Sequence, residues 1–411
     1  MHAYSRWDLQ RFFIACLAGF LAGHLTNYAV ILYAQDVWHS DALAGLGFAL
    51  CFGVPLLLGW PAGAWCDQHS PQRVAQCAHA AFIGALSLLA VAHYAPPAWA
   101  KLIFLSGAAL TGVGWALLAP ARMALLGRLA GERQASLAVL FNALVMLGFG
   151  LAPLLLALMR IAGGWPLVHA SGLLLFATAV CLLLGLKVSP LGGHGSVLSR
   201  IREGLRYARS TPLLAQALLS AMLVYAAMGP LQVMLPRFAQ QVLQLSELQR
   251  GLFLASLALA LLLGGALALP LARRFGHGRS LFAAGLISAV ALGLLSQQLS
   301  LASALACLFL NGMGAGLMVS LIVALLQHEG SPALRGRLLS IYTITSQVVP
   351  AAGGLLAGMA LEVWPVSHGL GVCALLLLGG LLLACWRQPA LRRYRGDGEK
   401  ASVAPAVLAR R

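Results

Sequence analysis

Twelve long apolar runs, separated by short polar turns, constrain this chain more than anything else in it. They fall near 11–34, 42–65, 73–94, 99–121, 135–160 and 165–187. After a polar stretch from Lys187 to Ser210, six more fall near 212–235, 248–271, 280–298, 301–326, 338–361 and 364–386. Nearly all reach the ~20 apolar residues a helix needs to cross a bilayer. Inside lipid every backbone polar group must be satisfied by the protein itself, so only helices or closed barrels can span. Barrel strands would read as alternating segments of about 10 residues, and the sequence has none. Of 411 residues 60% are hydrophobic and only 9% charged, against about 25% charged in a soluble domain. A cytosolic enzyme, a secreted module and a disordered regulator are therefore poor fits. The expected fold class is an all-α polytopic membrane protein with 12 transmembrane helices.

The formal net charge of +16 could suggest nucleic acid, but the positions of the bases argue otherwise. With the N-terminus cytoplasmic, 23 of the 27 Lys and Arg residues fall on the cytoplasmic side; only Lys101, Arg160, Arg237 and Arg250 fall opposite. That is the positive-inside bias of a membrane protein. It puts both termini in the cytoplasm of a multi-pass inner-membrane protein, with the bilayer as partner and no nucleic acid. In the central stretch Leu198, Ile201, Leu205 and Ala208 recur at helical spacing, with Arg200, Arg202, Arg206 and Arg209 mostly on other faces. A basic amphipathic helix of this kind lies on the inner leaflet. The eight cysteines form no CxxC pair and nearly all fall in apolar runs, so neither a disulfide framework nor a metal site is expected. MHAYSRWDLQR leads into an apolar run with no small-residue cleavage site, which reads as a first span and not a signal peptide.

The chain also repeats itself. The loop Gly63 to Arg73 is echoed by Arg273-Arg274-Phe275-Gly276-His277-Gly278-Arg279. Leu126-Gly127-Arg128-Leu129 is echoed by Arg335-Gly336-Arg337-Leu338. Arg73 and Arg279 lie 206 residues apart and the second pair 209 apart. A duplicated six-span unit gives two halves, 1–188 and 212–386, joined by a linker over 189–211 and followed by a basic tail over 387–411. Such repeats mark secondary transporters, which hold substrate between the halves.

These residues resemble the major facilitator superfamily. Its signature between spans 2 and 3 is Gly-x-x-x-Asp-Arg-x-Gly-Arg-Arg/Lys. Gly63 and Asp67 match it; Gln68, Ser70, Pro71 and Gln72 depart from it, and Arg73 stands one position beyond the closing basic pair. In the second half Arg273 occupies the Asp position, Arg274 and Gly276 match, and Arg279 is placed as Arg73 is. The closer resemblance is to the enterobactin-exporter-like branch, which includes macrolide efflux proteins. It is carried by Ala119-Pro120-Ala121-Arg122 with Leu126-Gly127-Arg128, by Arg202-Glu203-Gly204-Leu205-Arg206-Tyr207, by Leu235-Pro236, by Arg335-Gly336-Arg337-Leu338-Leu339-Ser340 and by the tail Leu391–Arg395. The resemblance implies the major facilitator fold, no cofactor, and export of a siderophore or amphipathic drug by proton antiport. On it, Gly63, Asp67, Arg73, Arg273, Arg274 and Arg279 are candidate gate residues on the cytoplasmic side; ordinary topogenic polarity is the alternative.

Polar side chains at mid-span face the bundle interior or a cavity. In span 1 these are His24, Asn27 and Tyr28; in span 4 Trp115; in span 5 Asn142; in span 7 Tyr225, Met228 and Gln232; in span 10 Asn311; in span 11 Tyr342, Thr345 and Ser346. Together they sketch a neutral, aromatic, hydrogen-bonding cavity suited to a large amphipathic cargo. Each could instead bond a neighbouring helix. All eleven acids lie in loops, tails or span ends. His24 is the one titratable group near mid-span with a useful ordinary pKa, about 6.5, and so is the candidate for proton coupling, with Asp36 or Glu329 next. The expected function is a monomeric secondary exporter, of a siderophore first and of drugs second, with lysophospholipid translocation a distant third. A polytopic membrane enzyme or sensor is the other class, but the clustered ionisable residues or soluble domain it would show are missing. An ATP-driven pump lacks its phosphate-binding motif.

Overall fold

In the computed structural model, residues 5–131, 134–186, 188, 197–297, 300–331 and 334–396 are described. Among the described residues thirteen helices follow one another: α1 Arg6–Val37, α2 Asp41–Gln68, α3 Pro71–Tyr94, α4 Pro97–Ala130, α5 Gln134–Leu183, α6 Val197–Ser210, α7 Pro212–Gln241, α8 Glu247–Phe275, α9 His277–Leu295, α10 Leu301–Glu329, α11 Arg335–Leu361, α12 Val366–Arg387 and the short α13 Pro389–Arg393. Eleven of them contain stretches long and apolar enough to cross a bilayer. The twelfth crossing lies within α5. Its 50 residues are broken at Gly163 (φ −160°, ψ 17°) and Gly164 (φ 65°, ψ −160°). At Gly164 the positive φ is a conformation that glycine adopts without a Cβ penalty. The arms 134–162 and 165–183 are thus separate crossings, and the protein is an all-helical membrane protein of twelve spans.

Local chemistry sets the helix ends. Ser5 with Asp8 and Ser246 with Gln249 form capping boxes at the starts of α1 and α8, each satisfying two otherwise unpaired backbone groups. Pro71, Pro97 and Pro212 open α3, α4 and α7, where a missing N–H is harmless. Gly276, at φ 89°, separates α8 from α9. The amphipathic linker helix is α6. Large apolar side chains left exposed, such as Leu375, Leu376, Leu382 and Trp386 on α12, form a surface suited to lipid.

The helices sort into two packed groups. In one, α1 packs on α5 and α3 on α4; in the other, α8 packs on α10, α7 on α11 and α9 on α12. The groups meet where α2 lies against α11 and α5 against α8. The start of α1, the end of α5, α6 and the tail helix α13 share one end of the molecule. Arg11 donates to the carbonyls of Leu182 and Leu184 there, Leu391 N–H donates to Gln216, and Tyr394 Oη donates to Glu329 at 2.8 Å.

One boundary differs from the sequence reading. Span 4 was expected to stop at 121, leaving Arg122 and Arg128 in a loop. Helix α4 instead runs to Ala130, and Arg122 is only 3% exposed. The apolar pattern continues through Met123-Ala124-Leu125-Leu126, and the Arg122 guanidinium lies over the Phe20 ring, 3.9 Å from its centroid. A cation–π contact of this kind gives the charge a place inside the bundle.

Candidate transport site and inter-half latch

The spacing between the groups changes along α2. A Cβ added at Gly45 would stand 2.7 Å from the Gly354 carbonyl oxygen and 2.9 Å from Gly358 Cα. At Gly53 the nearest atom of α11 would be the Ala351 Cβ, 3.9 Å away, and at Gly59 nothing lies within 4 Å. Burial on α11 follows the same gradient. Pro350, Ala351, Gly354, Ala357 and Gly358 are buried, whereas nothing between Leu338 and Pro350 is. The second contact, α5 on α8, is also close near the start of α8, where Gly251 meets Pro153 and Ala157. The groups therefore touch at the end away from the termini and part toward the end that carries them.

Where they touch, charges cross between them. Asp36, at the end of α1, receives both terminal nitrogens of Arg250 from α8 at 3.2 and 3.3 Å, and also Arg160 from α5. Arg160 reaches Glu247 at 3.0 Å, and Arg250 reaches Glu247 at 2.9 Å. Arg160 also lies over the Trp165 ring, 4.5 Å from its centroid. Beside this quartet, Arg237 Nε of α7 donates to Asp41 Oδ1 at 2.7 Å. Gln35 Nε2 donates to the same Asp41 oxygen at 2.8 Å and to the Val233 carbonyl at 3.0 Å. Glu362, after α11, accepts from Ala42 N–H at 2.8 Å and Ser40 Oγ at 3.2 Å. The backbone N–H of Ala42 holds its carboxyl below the usual carboxylate range. Paired, partly desolvated charges of this kind are costly to separate one at a time.

The sequence reading placed Arg160, Arg237 and Arg250 as exceptions to the charge bias and Asp36, Asp41, Glu247 and Glu362 as span-end acids. Their sharing one end was the available signal for the latch, but which acid meets which base depends on helix packing that a single sequence does not display.

The expected cavity residues separate into three settings. On α1, His24 is half-buried between the rings of Trp115 (5.3 Å) and Phe149 (5.4 Å), and its Nε2 has no hydrogen-bond partner. Asn27 is buried and accepts from Trp115 Nε1 at 3.2 Å, joining α1 to α4; Tyr28 is buried, its ring 6.1 Å from Phe149. On α7 and α11, Tyr225 and Tyr342 share a 2.7 Å hydrogen bond between their hydroxyls. The hydroxyls of Thr345 and Ser346 return to carbonyls of their own helix, those of Ile341 and Thr343. This cluster lies on the unburied stretch of α11, with Gln232 half-buried on α7. The third setting is inside the second group. Asn311 donates to the Ser288 carbonyl at 3.1 Å and to its hydroxyl at 2.9 Å, and with Met228 lines a small internal pocket. Asn142 is exposed on α5.

The gate candidates lie at the termini-bearing end. The side chain of Asp67 falls outside what is described, and at Gly63 only the helical backbone is described. Arg73, Arg273, Arg274 and Arg279 are exposed, and among the described residues no ion pair includes them. Nearby, Ser70 Oγ donates to the Val188 carbonyl at 2.7 Å and Gln72 Nε2 to that of Leu183 at 2.9 Å. Glu329 is held by Tyr394, and burial next to that carboxylate raises the tyrosine's pKa.

The sequence matches the model of the Major Facilitator Superfamily over residues 12–353 and again over 251–410. No curated protein sequence matches the chain. Among solved structures, a bacterial homologue of the iron transporter ferroportin in an inward-facing state is similar at a TM-score of 0.73 and 18% identity, covering 94% of this chain and 99% of that one. A bacterial homologue of the human lysosomal transporter Spinster, inward-facing and occupied, is similar at 0.73 and 15%, covering 96% and 99%. A D-xylose–proton symporter is similar at 0.71 and 16%, covering 92% and 97%. At these identities the likeness is one of fold.

Proposed function

The chain belongs to the Major Facilitator Superfamily and is a membrane transporter of a small molecule, and on that premise we propose that it is a secondary exporter working by alternating access and proton antiport. Its cargo is a small amphipathic molecule, a siderophore before a lipophilic drug. The observation that carries this reading is the gradient between the halves: contact and crossed ion pairs at one end, an unburied polar and aromatic stretch of α11 toward the other. With the termini cytoplasmic, as the distribution of Lys and Arg favours, this is the state that receives cargo from inside the cell. Tyr225, Tyr342, Thr345, Ser346 and Gln232 offer it hydroxyl, amide and ring surface without a fixed charge. His24, half-buried near mid-span with an unpartnered ring nitrogen, is the coupling group in this reading. Asp67 and Arg73, with Arg273, Arg274 and Arg279, form the opposing latch, engaged when the cytoplasmic end closes.

The neutral, aromatic character of the same surface also supports drug efflux as a second reading. A deletion strain distinguishes the two. Siderophore export predicts less extracellular and more intracellular siderophore under iron limitation; normal secretion with increased sensitivity to lipophilic drugs selects efflux. His24→Gln keeps hydrogen-bonding capacity and removes titration. It should flatten the pH dependence of transport, and an unchanged profile would remove His24 from the coupling role.

A further inference from the structure

Arg122 is a buried charge that neither the latch nor the transport surface uses. It is 3% exposed, and both its terminal nitrogens lack a hydrogen-bond partner. The Phe20 ring beneath it offsets only part of the cost of burying an unpaired cation. Facing it from α3 is His79, 1% exposed. His79 Nδ1 lies 2.6 Å from the Ala75 carbonyl oxygen. A carbonyl only accepts, so Nδ1 carries the hydrogen and Nε2 of the neutral ring is a bare lone pair. That Nε2 also has no partner.

The two side chains converge on Gly19 of α1. A Cβ there would stand 2.8 Å from His79 Nε2 and would collide with Arg122 Nη2. Glycine thus keeps open the one point that both groups address. His79 and Arg122 also line a narrow cleft between α1, α3, α4 and the end of α5, with Phe12, Ala15, Ala75, Leu125 and Leu183. Phe12 and Leu183 mark its side toward the termini-bearing end; the cleft is enclosed within the first helix group, apart from the surface between the groups. As it stands the cleft has no void of water size, and the flexible Arg122 side chain is what would yield to an occupant.

We propose that Arg122, His79 and Gly19 form a buried site for one small monovalent anion, such as a halide, taken up together with a proton on His79. The neutral imidazole would present its lone pair to an anion and repel it. A proton added at Nε2 turns that nitrogen into a donor facing the same point as the Arg122 N–H groups, and the anion accepts from both. Proton and anion cancel, so occupation adds no net charge to the buried interior. The other groups facing His79 leave this charge arithmetic unchanged: Cys16 from α1 is a thiol, and α5 presents the Phe176 ring, 6.2 Å away. His24 lies further along α1 and faces Trp115 and Phe149.

The test uses the full-length protein in lipid nanodiscs, with thermal unfolding followed in sodium bromide against sodium gluconate at equal ionic strength. Bromide should raise Tm saturably, with more than tenfold tighter apparent binding near pH 5.5 than near pH 8, because one proton enters with each anion and its uptake is favoured as pH falls. Arg122→Gln should abolish the response. His79→Gln should leave weak bromide stabilisation without pH dependence, and Gly19→Ala should block the site. Equal stability in bromide and gluconate for the unaltered protein, or a full bromide response in Arg122→Gln, overturns the proposal. If Arg122→Gln does not fold, His79→Gln decides: a pH dependence equal to that of the unaltered protein overturns it.

Discussion

At the end away from the termini, Asp36, Glu247, Arg160 and Arg250 face one another across the two helix groups. At the termini-bearing end, Arg73, Arg273, Arg274 and Arg279 stand exposed, and among the described residues none of them is in an ion pair. The closed end is also built to be reopened. Asp36 and Arg160 belong to one group and already touch; Glu247 and Arg250 belong to the other and already touch. When the groups part, each retains a self-neutral pair. Asp41 and Arg237 pair across the groups, and among the described residues neither is in a second ion pair within its own group, although Glu362 of the second group feels the Arg237 charge. The quartet therefore lowers the cost of opening, while the Asp41–Arg237 pair raises it.

The largest effect is expected from Asp36→Ala, which leaves the buried Arg250 and the half-buried Arg160 facing one carboxylate. Breaking one partner from a buried ion pair costs about 3–5 kcal/mol. Thermal unfolding should show a loss of that order in the closed form, and transport should fall more than tenfold. A smaller cost, about 1–3 kcal/mol, is expected from Gly45→Ala, because the added Cβ meets the Gly354 carbonyl and the Gly358 backbone. Here the readout is thiol labelling at the latch end, which should increase as the groups are wedged apart. For the Asp41–Arg237 pair, Asp41→Arg and Arg237→Asp should each impair transport, and the double exchange should recover part of it. Recovery no better than the sum of the two single effects would mean that the charges act independently.

How much of this was legible differs from feature to feature. The twelve crossings were, because apolar length is a property of each segment alone; even the break within α5 falls in the gap between the runs ending at 160 and starting at 165. The latch was half legible. Three of the four bases on the minority side belong to it, but their pairing is set by how α1, α5, α7 and α8 pack. Arg122 was misplaced because a lone arginine after an apolar run reads as a loop marker, whereas the ring of Phe20 accommodates it inside. Asn27 and Asn311 show that polarity alone does not say what a side chain meets: both are buried and bonded to neighbouring helices, and Asn311 also lines a small pocket.

The smallest effects sharpen the contrast between the ends. Arg73→Gln should change thermal stability by less than about 0.5 kcal/mol, as for an exposed side chain, yet lower transport if its partner is met only in the opposite state. Glu362 has a folded-state pKa below its unfolded value. Its stabilising contribution is therefore present above the unfolded value, about 4.3, and is lost as pH falls through the folded one. Glu362→Gln should remove that acid-side slope, slightly, in a pH series of unfolding curves.

The central claim, that crossed charges hold one end shut while the other stands open, is tested most directly by spin-label distances in a cysteine-free background. One pair of labels, at Tyr94 and Val363, reports on the latch end; both positions are exposed, at 74% and 79%. The other, at Arg73 and Arg279, reports on the end with the termini. In the cargo-free protein with Asp36→Ala, the first distance should lengthen and the second shorten relative to the unaltered latch. Distance distributions that do not move at either end would contradict the account.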